Sequence, residues 1–334
     1  MKRLFTLLLV LAALWAGYWF VGSTALERGL AGWFEARRAD GWVAETSEIR
    51  VRGFPSRFDT TLSGLELADP DTGLAWSMPF FQILALSYRP NHVIAVWPHE
   101  FTVATPEERL TVLSDRMRGS VVFEPHTGLA LDRMTVEMRD VAVTSDAGWA
   151  TGLTEGSLAT EQAAAGPENA HRLGVQAANV LVAGPLKASL DPADALPDRI
   201  GTLHLDATVG FDAPWDRRAI EERRPQPTFV DLDDLSAVWG ELELRAAGEL
   251  TIDAAGVAEG RITVKAVNWR EILGLAVAAG LVPEAISATV ENALGILAGL
   301  SGPPDTLDAP LTFSDGRISF GPVPLGRAPR FVIR

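Results

Sequence analysis

From Ile49 onward the apolar residues of this chain recur at every second position. They keep this up for roughly 200 residues, and a period of two is one that strands satisfy and helices do not. Leu203, Leu205, Ala207, Val209 and Phe211 alternate with His204, Asp206, Thr208 and Gly210, which gives one apolar face and one wet face. Met134, Val136 and Met138 follow the same rule, and Val141 and Val143 continue in the opposite phase, predicting a bulge or break between them. Leu242, Leu244 and Ala246 alternate in turn. Ile252 follows out of register, and beyond a turn at Ala255-Gly256 come Ile262 and Val264.

Turn-forming clusters separate these runs. Asp69-Pro70-Asp71-Thr72-Gly73 lies between Leu65/Leu67 and Leu74/Trp76. Pro90-Asn91 separates Ile83–Tyr88 from Val93–Trp97, and Ser314-Asp315-Gly316 separates Leu311/Phe313 from Ile318/Phe320. Short turns between alternating runs predict an antiparallel meander, which must curl, close or be covered to manage its edges.

Helical spacing appears at the two ends. Leu4–Val21 is an apolar run interrupted only by Thr6 and Gly17. At 1.5 Å per residue it spans roughly 27 Å as a helix, close to a bilayer's hydrocarbon core. Lys2 and Arg3 precede it, and Tyr18, Trp19 and Phe20 fall where a helix leaves the hydrocarbon. Its length and flanks favour an uncleaved anchor over a cleaved signal, for which Ser23-Thr24-Ala25 is the best site. Leu26, Leu30, Trp33 and Phe34 form a further stripe, either continuing the anchor helix or lying on the membrane surface. Near the C-terminus, Asn268 and Glu271 have capping-box spacing ahead of Ile272, Leu273, Ala276 and Leu281, with Gly280 as a stop. Pro283 suits the first turn of a second helix carrying Ile286, Val290, Leu294 and Leu297, ending near Gly302-Pro303-Pro304. Helices are expected at Asn268–Val282 and Pro283–Leu300.

The expected fold class is α+β: an N-terminal transmembrane helix, then a large curved antiparallel β-sheet with two C-terminal helices packed on it. Five segments follow: a signal anchor at 1–24, a juxtamembrane helix and linker at 25–48, a β-rich region at 49–212, a charged loop at 213–234, and a β-rich region with the helical pair at 235–334. Within 49–212, Thr151–Asn169 has little periodicity and reads as an excursion.

Charge and composition exclude several functions. The formal net charge of −14 repels nucleic acid and anionic headgroups at long range. Cysteine is absent, which removes disulfides, thiol nucleophiles and thiolate metal sites. His92, His99, His126, His171 and His204 stand too far apart for a helical metal pair. Asp69 and Asp71 read as turn residues, and Asp231, Asp233 and Asp234 as an exposed loop, rather than as calcium ligands. Nucleophile elbows and Gly-rich phosphate loops are missing. No catalytic, cofactor-binding or metal-binding residue is assigned, no cofactor is expected, and a non-enzymatic protein is the expectation. Ten tryptophans are present; Trp76 and Trp97 read as core, with a groove for acyl chains or glycans as the alternative.

Gly53-Phe54-Pro55-Ser56-Arg57-Phe58, Gly73-Leu74-Ala75-Trp76, Trp97-Pro98 and Leu311-Thr312-Phe313-Ser314-Asp315-Gly316-Arg317-Ile318, together with the anchor, resemble domain-of-unknown-function family 2125, a group of bacterial envelope proteins. The resemblance covers nearly the whole chain, and its motifs are structural, so it implies no functional residues. At the level of architecture, the anchor, the long β-rich part and the final hairpin also resemble AsmA-like envelope proteins, a likeness that implies β-rich lipid-conducting grooves.

These observations lead to an expected single-pass protein of the bacterial inner membrane, anchored by Leu4–Val21. Its N-terminus is expected in the cytoplasm and its bulk in the periplasm. The expected partner is a lipid or another amphiphile in a β-sheet groove. The alternative is a scaffold for other envelope proteins, and no nucleic acid is expected.

Overall fold

The computed structural model describes all residues except Ala193, Glu222, Leu281, Gly302, Pro322 and Arg334, so the expectations placed on Glu222, Leu281 and Gly302 lie outside the described residues. The fold class is the expected one, a long N-terminal helix followed by antiparallel strands with a few helices toward the C-terminus. The chain forms two compact units, 1–123 with 136–148, and 124–135 with 149–334.

The first unit opens with α1 (Lys2–Ala39), followed by β1 (Val43–Glu45), β2 (Glu48–Arg52), β3 (Arg57–Ala68), β4 (Ala75–Leu86), β5 (Arg89–Val96), β6 (Glu100–Ala104), β7 (Arg109–Leu113) and β8 (Arg116–Phe123). The strand β9 (Leu131–Ser145) belongs to this unit from Val136 onward. Both β1 and β2 pair with β3, and β3 pairs with β4. Beyond β4, β5 and β6 share its far edge and continue to β8 and β7. The phase change expected between Met138 and Val141 is present at Asp140, whose φ of 47° is left-handed and sends the strand's side chains to the opposite face. The turn expected at Pro90-Asn91 instead falls at Ser87-Tyr88, and Leu86 pairs directly with Arg89. Pro90 can lie in β5 because a strand's first residues need not donate to the ladder.

One unbroken helix, α1, covers both expected N-terminal segments and is long and apolar enough to cross a membrane. Residues 2–15 are all exposed. From there Ala16, Trp19, Ser23, Glu27, Leu30, Phe34 and Arg37 are covered, at spacings of three and four that mark one helical face. The expected stripe divides: Leu30 and Phe34 are covered, whereas Leu26 and Trp33 face outward and are 40 % and 43 % exposed. The buried face combines the large apolar side chains of Trp19, Leu30 and Phe34 with Ala16, Ser23, Glu27 and Arg37. The Glu27 carboxylate accepts from the Val51 amide at 3.0 Å, which covers part of the β2 edge that would otherwise stay open.

The second unit is a meander in which each strand pairs with the next. Its strands are β10 (Ala150–Gln162), β11 (His171–Leu181), β12 (Arg199–Phe211), β13 (Pro227–Trp239), β14 (Leu242–Ile252), β15 (Ala258–Val267), β16 (Thr306–Ser314), β17 (Arg317–Phe320) and β18 (Val323–Arg327). Helix α2 (Gly184–Leu190) precedes β12, α3 (Arg217–Glu221) precedes β13, and α4 (Trp269–Ala278) and α5 (Glu284–Ser301) lie between β15 and β16.

Four sequence expectations change here. Most of Thr151–Asn169 is β10, a strand built from small residues whose weak apolar pattern hides its pairing with β11. The charged segment enters β13 at Pro227, so Asp231, Asp233 and Asp234 lie on a strand with its polar side outward. Ile252 is in register with Leu242, Ala246 and Leu250, all of them buried. The apparent break comes from Gly248, whose φ is 147° and where a Cβ would meet the Arg261 carbonyl oxygen at 2.2 Å, so the inward position carries no side chain. The capping box is not formed, because Asn268 is left-handed with φ 56° and its amide donates to the Glu241 carbonyl at 2.8 Å.

The turn at Asp315-Gly316 has φ values of 52° and 68°, the pattern of a two-residue I′ hairpin. Cross-strand partners share a face, so Leu244, Ala266 and Leu307 stand in one row and Ala246, Val264 and Ala309 in the next. The opposite face of the same strands carries Glu243, Arg245, Arg261, Lys265 and Asp308, and is wet.

Candidate functional site

The apolar rows of β14, β15 and β16 are covered by α4 and α5. Val290, Leu294 and Ala298 recur every fourth residue of α5 and are 1 %, 3 % and 0 % exposed, forming its inward stripe. Trp269 at the start of α4 is buried, and its indole Nε1 donates to the Pro304 carbonyl at 3.1 Å, pinning the helix to the segment that leads into β16.

This packing is not solid. An apolar cavity of about 630 Å³ lies between the helices and the sheet, lined by Ile272, Leu273 and Ala276 of α4, Val290 and Leu294 of α5, and apolar residues of β14 to β18. The space exists because Ala276, Gly280 and Ala266 line it without bulk, and backbone spacing prevents neighbouring side chains from closing in fully. Among the described lining residues Arg327, at the end of β18, carries the only charge, and it is exposed. The lining holds no carboxylate, hydroxyl or imidazole among those residues. The described walls are therefore apolar over nearly their whole extent.

The residues weighed from sequence lie elsewhere and apart. Asp69 caps its own turn, accepting from the Asp71 amide at 2.9 Å and the Thr72 hydroxyl at 2.8 Å. His92 pairs with the Ser120 hydroxyl at 2.9 Å, His99 with the Ser114 carbonyl at 2.8 Å, and His126 with Glu124 at 2.8 Å. His204 lies 3.7 Å from Asp234 on the wet side of β12 and β13. His171 is buried, and burial pushes its pKa below the ordinary histidine value against the opposing pull of Asp132. Arg172 holds Asp206 by two hydrogen bonds, which keeps that carboxyl below its usual range. Trp97 meets Phe81 edge-on at 5.3 Å, and Trp76 pairs across the strands with Leu67 and Val103; both are half-buried in the first unit. Among the described residues no three His, Asp or Glu side chains come together as a metal site.

A second charged cluster surrounds Lys187 of α2, which is buried beside Asp191, Asp194 and Asp198. The hydrogen bond to Asp194 raises the lysine pKa, and amide donation from Leu196 and Ala195 lowers that of Asp191. Lys187 is shared by three carboxylates, and the Asp191 carboxylate also accepts from the Ala195 and Leu196 amides, so the cluster fastens the loop after α2.

Sequence reading missed Arg327 and the chamber beneath α4. The run Leu325-Gly326-Arg327 carries no motif, and a cavity is bounded by residues far apart in the chain. The helical spacing of Ile272, Leu273 and Ala276 was the legible part of that signal.

The fold and this chamber define a class: an antiparallel β protein with an N-terminal helix fit for membrane anchoring and a helix-roofed apolar pocket. The chain belongs to the family described as an uncharacterized protein conserved in bacteria (DUF2125), which matches residues 19–329. No curated protein and no solved structure matches it. The matched region starts at Trp19, inside α1, which makes the docked half of the helix part of the family's common domain.

Proposed function

We propose that this is a non-enzymatic protein of the bacterial cell envelope that holds an acyl chain of a lipid or other amphiphile between the helical pair and the sheet. In this reading the Arg327 guanidinium meets the anionic head. The observation that carries the reading is the chamber itself, apolar throughout its described lining except for one exposed cation. Its volume of about 630 Å³ falls within the range of roughly 300–1,000 Å³ typical of small-molecule sites. Each buried CH₂ contributes about 0.8 kcal/mol, so about ten buried methylenes are needed to reach the roughly 8 kcal/mol of micromolar retention.

The protein is anchored by α1 in the inner membrane, with the cations Lys2 and Arg3 on the cytoplasmic side and the β units in the periplasm. Support for an uncleaved anchor comes from Ser23, which is buried within the docked helix, so a peptidase would have to undock and unwind α1 to reach Ser23-Thr24-Ala25. A C-terminal reporter should be active only outside the cytoplasm; activity confined to the cytoplasm overturns the orientation.

The binding reading is tested by native mass spectrometry of the full chain released from detergent. Wild-type protein should retain one acyl-bearing species per chain. Ala276→Phe, which projects a ring into the chamber, should lose it, and Arg327→Gln should weaken it. Identical retention in wild type and Ala276→Phe refutes the site. A folded wild-type chain that retains nothing refutes the reading and favours a scaffold for other envelope proteins.

A further inference from the structure

The apolar run Leu4–Val21 matches a bilayer core, at roughly 27 Å of helix against a hydrocarbon thickness of about 30 Å. Yet α1 is free of the first unit only over residues 2–14, roughly 20 Å. From Trp15 to Val21, about 10 Å of helix, the membrane-matching run and the docked face overlap. A bilayer that accommodates the whole run must therefore also accommodate what is docked at that level.

What is docked there is aromatic and already satisfied in hydrogen bonds. The indole of Trp15 donates to the Pro55 carbonyl at 2.9 Å, the Tyr18 hydroxyl to the Ser87 carbonyl at 2.6 Å, and the indole of Trp19 to the Arg57 carbonyl at 2.7 Å. Ser87 is fully buried, with its amide on the Ser56 carbonyl and its hydroxyl on the Pro55 carbonyl. The Gly53–Phe58 segment and the Ser87-Tyr88 turn therefore form one socket for the helix. Outside this socket, Phe54 is 53 % exposed, Tyr88 58 % and Phe20 59 %, with Trp15 and Tyr18 also open on one side. These rings come from three segments of the chain. Phe20 stacks on Phe54 with centroids 5.6 Å apart. Amphipathic and aromatic rings of this kind favour the headgroup zone, and backbone groups paired within the protein can enter it at little cost. Leu86 pairs with both Arg57 and Arg89, which sets two arginines at the same end of the sheet as the Ser87-Tyr88 turn in a strongly acidic chain; Arg57 also holds Asp59 at 3.0 Å.

We infer that Phe54, Tyr88 and the open faces of Trp15, Tyr18 and Phe20 form a collar seated in the headgroup zone of the bilayer that α1 crosses. Arg57 and Arg89 lie at its phosphates. The first unit then sits on the membrane at a fixed orientation, with no flexible stalk between anchor and domain.

The absence of cysteine makes the test direct. Single variants Leu9→Cys, Phe54→Cys, Tyr88→Cys and Asp71→Cys of the full chain carry a nitroxide label in vesicles of phosphatidylcholine and phosphatidylglycerol, and collision with oxygen is compared with collision with a water-soluble nickel chelate. Asp71 lies in the turn at the other end of the hairpin that contains Leu86, roughly 36 Å of strand away. Labels at 54 and 88 should be shielded from nickel several-fold relative to the label at 71, and the label at 9 should favour oxygen most. Shielding at 9 with full nickel access at both 54 and 88 overturns the collar while leaving the anchor intact. Nickel access at 9 overturns both. Tyr88 stacks on none of the socket rings among the described residues, so its variant reports even where Phe54→Cys loosens the socket.

Discussion

Two regions of this protein solve the same problem, a helix laid on an antiparallel sheet, and reach opposite results. Where α1 meets β2 and β3, the contact is filled with rings. Trp19 stacks on Phe58 at 6.0 Å and meets Phe54 edge-on at 5.5 Å, and Gly22 lets Phe58 approach so closely that a Cβ there would lie 2.7 Å from the ring. Where α4 and α5 meet β14 to β16, small residues leave a chamber of about 630 Å³. The polar atoms differ as well. At α1 three ring donors find carbonyls on the partner elements, whereas the chamber wall among its described residues is almost pure hydrocarbon. Solid packing with directional bonds fixes one helix at one position. Packing around a void lets a pair of helices stay in place while something else occupies the space.

The comparison can be broken most sharply at Trp19. Trp19→Ala removes a ring that is 6 % exposed together with its bond to Arg57, and should destabilise the first unit by about 3–5 kcal/mol in denaturant titration of the full chain. Trp33→Ala on the outward face should stay within about 0.5 kcal/mol. Equal losses at the two positions would mean that the helix is not docked on this face.

Enlarging a small residue separates the regions next. Gly22→Leu drives into Phe58 and should cost about 1–3 kcal/mol, although leucine is the better helix former. Gly29→Leu, with nothing within 4 Å of its Cβ, should be neutral or mildly stabilising. Ala276→Phe enters the chamber and should change stability by less than about 1.5 kcal/mol while abolishing retention of the acyl species. A large loss at Ala276 would mean that α4 packs without room to spare.

The smallest expected effect is a pH dependence confined to the second unit. Burial lowers the pKa of His171 below its unfolded value of about 6.5. The unfolded chain then binds a proton that the folded chain refuses, so stability is full above about pH 6.5 and declines as pH falls toward the lowered folded pKa. His171→Phe should flatten that acid limb in thermal unfolding. An unchanged slope would assign the limb to carboxylates such as Asp206, whose lowered pKa places their loss at more acidic pH.

Much of this architecture was legible because its signals are local. Alternation at Leu203–Phe211, the Asp-Gly turn at 315–316 and the stop at Gly280 each report a backbone conformation that a few neighbouring residues dictate. Reading failed where a local pattern had more than one backbone solution. Gly248 imitated a phase break, Pro90 imitated a turn, and the small residues of β10 gave too little contrast to mark a strand. The socket was present in the sequence as Gly53–Phe58 but without a stated role. Its partner is a helix some 40 residues earlier, and only packing reveals which face of that helix turns inward.

The sequence by itself determined the length and apolarity of α1, the antiparallel β architecture, the two C-terminal helices and the acidic balance of the chain. All four follow from period, composition and turn chemistry, which act over a few residues at a time. Only the tertiary structure decided that α1 runs unbroken into a socket on the first unit, and that α4 and α5 roof a chamber rather than fill it. Those outcomes depend on how volumes contributed by distant residues, Trp15 and Pro55 in one case and Leu244 and Leu325 in the other, add up in three dimensions.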